Sequence, residues 1–282
     1  MSWNAIASFG PKVWRSLSLT AQDFATCQRP APAELAEASA HDLYLAPHSD
    51  DICFSLGAFV RRRRQGVLLT LFSNSGYVAR PWTITTQGDE RIAAISSLRQ
   101  REDLAFAREV GLRRCLGGLD EAPLRGFDPF DTARAEDEAW RLDAAVASAI
   151  FAAAGKDPGD RRPWLFCPMG IGGHVDHMVV LRVVLRHYRA LQTRWRIAFY
   201  EDLHYAAAWR ERAVGLARFQ ALAAPLRPRR SLWPIGDAAD KLALASLYPS
   251  QFAKPPASIR AFTPAQRIPA PAHEALWTVE QP

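Results

Sequence analysis

Apolar residues fall into two rhythms along this chain. Short apolar runs stand at 43–47 (LYLAP), 67–72 (VLLTLF), 164–168 (WLFCP) and 195–200 (WRIAFY). Runs of that length with little polar alternation suit strands covered on both faces, as in a parallel sheet. Between them, apolar positions recur at helical spacing. They predict helices over 52–65, 89–111, 136–154, 177–191, 206–222 and 237–247. Gly66, Gly111 and Gly155 follow three of these segments, where glycine ends helices. A further short strand is predicted at 113–116. The segments 73–88 and 117–135 read as loops, and the proline-rich tail from Pro255 reads as irregular surface chain.

Strands alternating with helices predict an α/β architecture with a mostly parallel sheet and helices on both faces. The whole chain of 282 residues is long enough for one such domain with a real core. The organisation expected is a single domain over 1–282, its core at about 40–252, with an N-terminal extension (1–39) and the tail (255–282).

Composition changes this picture little. No stretch approaches the ~20 apolar residues of a membrane span. The start of the chain lacks the apolar core of a secretion signal. The four cysteines (Cys27, Cys53, Cys115, Cys167) form no CxxC pair, which argues against a disulfide framework. A soluble, cytoplasmic protein is expected. The net charge of +6 favours an anionic partner or simply a solvated surface. The run Arg61 to Arg64 falls in a helix's last turn, where cations complement the dipole. No aromatic-interleaved basic stripe supports a nucleic-acid partner, and none is expected.

The chemistry is concentrated at two strand ends. In YLAPHSDDICFSLG, a buried strand delivers His48, Asp50 and Asp51 together. Adjacent buried carboxylates repel, so something positive has to compensate them. After the 164–168 strand, MGIGGHVDH delivers His174, Asp176 and His177 ahead of a helix. An Asp before a helix is usually a cap, and a lone His is usually structural. Two such clusters at the ligand-binding end of one parallel sheet are harder to explain that way. A catalytic zinc site takes three protein ligands and keeps one position open, and His48, Asp51 and His177 can supply them. The same two-His, one-carboxylate set suits Fe(II).

PHSDDICFSLG followed by GGHVDH resembles the PIG-L or LmbE-like deacetylases, zinc enzymes that remove N-acetyl groups from glucosamine-containing substrates. RQREDLAFAREVGL, FYEDLHY and KLALASLYPSQ match further segments of that family in order, so the resemblance spans about 40–252. Ser49, Ile52 and His204 depart from its usual residues. Gly172 stands where some members carry a tyrosine that helps the reaction.

The resemblance implies a Rossmann-like fold and a metal-dependent N-deacetylase acting on an amino sugar or glycoconjugate. Zn2+ or another divalent ion such as Fe2+ would polarise the amide and activate a water. Asp50 would be the general base. His174 would stabilise the oxyanion or protonate the amine. Asp176 would orient a histidine, and Arg99 would contact substrate. Two other readings stay open. One is an amidase acting on another natural product or an acylated sugar lipid. The other is an anion- or nucleic-acid-binding module without catalysis.

Overall fold

The computed structural model describes residues 33–79, 84–154, 162–252, 254 and 272–279. After a single helical turn at Ala33–Ala36, the chain enters strand β1 (Leu43–Ala46) and helix α1 (Asp51–Arg63). Next come β2 (Val67–Thr70), α2 (Gly88–Val110), β3 (Arg113–Leu116), α3 (Ala135–Arg141) and α4 (Asp143–Ala153). The second half holds β4 (Trp164–Pro168), α5 (Val175–Arg186), β5 (Arg196–Tyr200) and α6 (Trp209–Leu222). It ends with β6 (Arg229–Pro234), α7 (Ala238–Ala245) and β7 (His273–Thr278).

Among the described residues, seven strands form one mixed sheet in the order β3-β2-β1-β4-β5-β7-β6. The first five are parallel, and β7 pairs antiparallel with both β5 and β6. Alternate strand residues face opposite ways. Leu43, Leu45, Val67, Leu69 and Leu165 join one core with α5. Tyr44, Ala46, Leu68 and Phe166 join the other with α1. The sheet is therefore covered on both faces, as the unbroken apolar strands require.

Strand order locates the ligand end. From β1 the chain proceeds outward to β2 and β3, then returns to place β4 on the other side of β1. At such a reversal the loops leaving adjacent strands part in opposite directions and open a crevice. The loops after β1 and β4 carry the two His/Asp clusters.

Several expectations need correction. The proline-rich tail is not wholly irregular: residues 273–278 form β7, and 255–271 lie outside the described residues. Strand β6 at 229–234 was not foreseen. The predicted helix at 136–154 is two helices, meeting at Leu142 (φ −99°, ψ 2°). The helix expected at 177–191 starts two residues earlier, at Val175, and ends at Arg186, before a separate turn at Tyr188–Leu191. The 117–135 segment contains two short 3-10 turns, Ala122–Arg125 and Thr132–Arg134. Cys53, Cys115 and Cys167 are free thiols, and Cys27 lies outside the described residues. Among the described residues no helix is long and apolar enough to cross a membrane.

The arginine run is mostly structural. Arg63 is buried, donating to the Tyr44 hydroxyl (3.0 Å), the Asp42 carboxylate and the Leu35 carbonyl. Arg62 lies over the Trp233 ring, and Arg61 is 3.7 Å from Asp240.

Candidate active site

The turn after β1 is closed by its own acid. The Asp51 Oδ2 accepts the His48 backbone N–H at 2.7 Å, which folds His48 and Asp51 onto one side. Asp50 occupies the N-cap position of α1, but its side chain makes no capping hydrogen bond. It pairs instead with Arg99, whose guanidinium lies 3.2 Å from Asp50 Oδ1. A helix cap therefore does not account for Asp50.

The turn after β4 depends on glycine. Gly170, Gly172 and Gly173 all have positive φ (70°, 93° and 78°), a region other residues rarely adopt. At Gly172 a Cβ would come within 2.4 Å of the Tyr205 ring. This turn delivers His174 as the N-cap of α5, its Nδ1 accepting the Asp176 backbone N–H at 3.2 Å. The His174 Nε2 takes no part in that cap. His177 follows on the helix's first turn.

The two clusters meet across the crevice. Ring centroids of His48 lie 4.6 Å from His174 and 5.2 Å from His177. The Asp51 Oδ2 lies 3.4 Å from His48 Nδ1 and 3.3 Å from His177 Nε2. Four tetrahedral donors about 2.0–2.2 Å from a zinc ion stand roughly 3.4 Å apart, and both of these separations match that spacing. Ring nitrogens of His48, His174 and His177 also fall within 4.8 Å of one another, a looser set sharing two members with the first.

Each inner histidine is backed by an acid, as metal-binding histidines usually are. His48 Nε2 meets Asp176 Oδ2 at 2.9 Å, and His177 Nδ1 meets Asp202 Oδ1 at 2.8 Å. Asp202 also accepts the Ile171 N–H (2.9 Å), tying the glycine turn to the chain after β5. Burial would lower the His48 imidazole, but the Asp176 and Asp51 carboxylates outweigh it and push it up to about 10. Burial, then the neighbouring His48 and His177, hold His174 down to about 2. The centre thus draws positive charge to its inner atoms while His174 stays neutral.

A cavity of about 370 Å³ opens over this cluster. His48, Asp50, Asp51, His174, His177 and Arg99 reach it, with aromatic side chains such as Tyr77, Phe130 and Tyr205 around them. Of the residues singled out from sequence, only Asp176 is not on its wall. It is fully buried behind His48, whose Nε2 it meets. Arg99 lines the cavity but is already engaged by Asp50, Glu121 and the Ser75 hydroxyl (2.7 Å). Glu102 does not point there. Its carboxylate accepts from the Ser250 N–H (2.8 Å) and hydroxyl (2.5 Å), so it clamps the SLYPSQ segment against α2.

Sequence reasoning missed Asp202, Glu121 and Arg125. Asp202 lies in the FYEDLHY segment, but its role could not be told from that of Glu201. Glu201 is buried elsewhere, binding Arg212 and Arg230 (2.6 Å each) and the Trp277 indole (2.9 Å).

Fold and site together define an α/β protein with three histidines and two adjacent carboxylates gathered at its strand-order reversal. Solved structures similar to it in fold include several deacetylases. They include the teicoplanin deacetylase bound to teicoplanin (TM-score 0.55, 17% identity, covering 84% of this chain and 97% of that one). Another is the A40926 pseudoaglycone deacetylase (TM-score 0.52, 18% identity, 84% and 96%). The zinc-inhibited form of teicoplanin deacetylase also matches (TM-score 0.52, 16% identity, 85% and 98%). At the sequence level the chain is 35% identical over 170 residues to the 2'-N-acetylparomamine deacetylase of Streptomyces fradiae. That match spans 58% of this chain and 57% of the relative. No protein-family model matches the chain.

Proposed function

We propose that this chain is a divalent-metal-dependent N-deacetylase of the PIG-L/LmbE-like kind, acting on an N-acetylated amino sugar or glycoconjugate. One observation carries the reading. A single carboxylate oxygen, Asp51 Oδ2, stands 3.3–3.4 Å from two imidazole nitrogens whose opposite nitrogens are each held by a buried acid. The likeness to an N-acetylparomamine deacetylase supports the substrate class. So does the aromatic wall, because sugar rings pack their C–H faces on such surfaces.

His48, Asp51 and His177 would hold the ion, zinc or another divalent metal such as Fe2+. An ion there supplies Lewis-acid polarisation of the amide carbonyl and increased acidity of the attacking water. Asp50 accepts the proton that the water loses as its oxygen bonds to the carbonyl carbon. Arg99 holds one Asp50 oxygen, leaving the other free for that proton. His174 presents its Nε2–H to the oxygen on which charge develops, because its Nδ1 is occupied by the Asp176 N–H. When the C–N bond breaks, Asp50 returns the proton to the departing nitrogen, and the remaining acid proton passes to the released amine, giving acetate and an ammonium group.

The test pairs metal analysis with product analysis. The purified protein should carry one divalent ion per chain and release acetate from N-acetylated aminoglycosides or N-acetylglucosaminides, with chelation stopping it. Asp50→Asn should keep the ion and lose at least about 10²-fold in kcat. Turnover by metal-free protein, or loss of the ion in Asp50→Asn, would overturn the assignment.

A further inference from the structure

The 117–135 segment braces both halves of the site. From its Ala122–Arg125 turn, the Ala122 N–H donates to Asp176 Oδ2 at 3.1 Å, and the Arg125 guanidinium donates to Asp176 Oδ1 at 2.8 Å. Glu121, just before that turn, pairs with Arg99, which holds Asp50. Arg125 is itself tightly seated. It lies between the Phe72 and Phe127 rings, 5.1 and 5.0 Å from their centroids, and its Nε donates to Glu138 on α3 at 2.7 Å. Its side chain is 7% exposed.

Resting on the reading of His48 as a metal ligand, we propose that Arg125 is a positioning residue for the metal centre. The Asp176 carboxylate has two oxygens with separate tasks. One holds His48 Nε2, which turns His48 Nδ1 toward Asp51 and His177; the other is fixed by Arg125. Without the second anchor the carboxylate is held at Oδ2 alone, by His48 and the Ala122 N–H, so it can swing about that atom and the imidazole is set less firmly. A guanidinium suits this place because its planar fork reaches Asp176 and Glu138 at once while its charge lies over two aromatic rings. Arg125 touches neither the cavity nor the donor atoms, so it acts only through Asp176.

Metal affinity is the readout, measured by competition with a chromophoric chelator using zinc and, separately, Fe2+. Removing an outer hydrogen-bond partner of a ligand typically costs 10–100-fold in metal affinity. That place is held by Asp176, and Arg125 stands behind it, so Arg125→Met should weaken zinc binding several-fold, up to that range, and Arg125→Lys by less. The decisive measurement is the cycle with Asp176→Asn. If Arg125 acts through Asp176, Arg125→Met should change affinity little in the Asp176→Asn background. Arg134→Gln is the control. Its guanidinium lies over the same Phe127 ring (5.4 Å) and pairs with Asp131. Its zinc affinity should match the wild type. Unchanged zinc affinity in Arg125→Met, or full additivity with Asp176→Asn, overturns the proposal. If Arg125→Met fails to fold, Arg125→Lys and the same cycle decide it. A wild-type chain that binds no divalent ion is a different result, and it removes the metal reading itself.

Discussion

At the residue scale, the open question is which group completes the donor set. Asp51 and His174 both approach His48 and His177, but their side chains are committed differently. Asp51 Oδ2 is equidistant from both inner ring nitrogens. His174 spends one nitrogen on the helix it caps, and its side chain lines the cavity. His174→Ala should therefore keep the ion and leave KM almost unchanged. Its kcat should drop by ~10²–10⁴, the pattern of a contact made mainly in the transition state. Steady-state kinetics with metal analysis check this; a variant without its ion would make His174 the third ligand in place of Asp51. The six clustered residues were legible in sequence because they fall in two short motifs at strand ends. Asp202, Glu121 and Arg125 were not. Each is a single charged side chain in a loop, and only the fold shows whether such a residue meets solvent or a buried imidazole.

At the element scale, α1 carries Asp51 and is not a continuous helix. Leu56 has non-helical angles (φ −131°, ψ 20°), so the second half of α1 begins with unsatisfied N–H groups. Glu274 on β7 supplies the acceptors, taking the Ala58 N–H at 2.9 Å and the Phe59 N–H at 2.8 Å. Lys241 on α7 neutralises it at 2.6 Å, both side chains being fully buried. Glu274→Ala should cost roughly 3–5 kcal/mol, because it strands the Lys241 charge in the interior. Denaturant unfolding measures this, and a loss under about 1 kcal/mol would mean that solvent caps the break instead.

The same contact explains why β7 was illegible. HEALWT opens with two polar residues that read as surface chain, yet His273 and Glu274 are buried with partners on other elements. Strand β6 begins with Arg229 and Arg230 and ends in Pro234, a signature that suggests a loop. The five parallel strands announced themselves by apolar runs and spacing. The antiparallel pair depends on ion pairs from distant segments, which no local pattern records.

At the scale of the whole molecule, polar links hold distant segments together around the sheet, and one of them makes stability depend on pH. Asp103 on α2 accepts from the Thr70 hydroxyl on β2 (2.8 Å) and meets the Tyr248 hydroxyl after α7 at 3.4 Å. Burial is the main influence on it and pushes its carboxyl up to about 7, above the range of a solvated aspartate. The folded chain therefore holds a proton on Asp103 that the unfolded chain has released between about pH 4 and pH 7. Where the folded state binds more protons, stability falls as pH rises. Asp103 thus contributes fully below about pH 4 and loses its contribution by about pH 7, at a slope approaching 1.4 kcal/mol per unit in mid-window. Asp103→Asn removes the titration and keeps an acceptor for Thr70. Unfolding free energies of wild type and variant, measured at pH 5 and pH 8, should shift relative to each other in favour of Asn at the higher pH. An equal difference at both values would show that Asp103 ionises alike in the folded and unfolded chains, with solvent reaching it through the packing of α2.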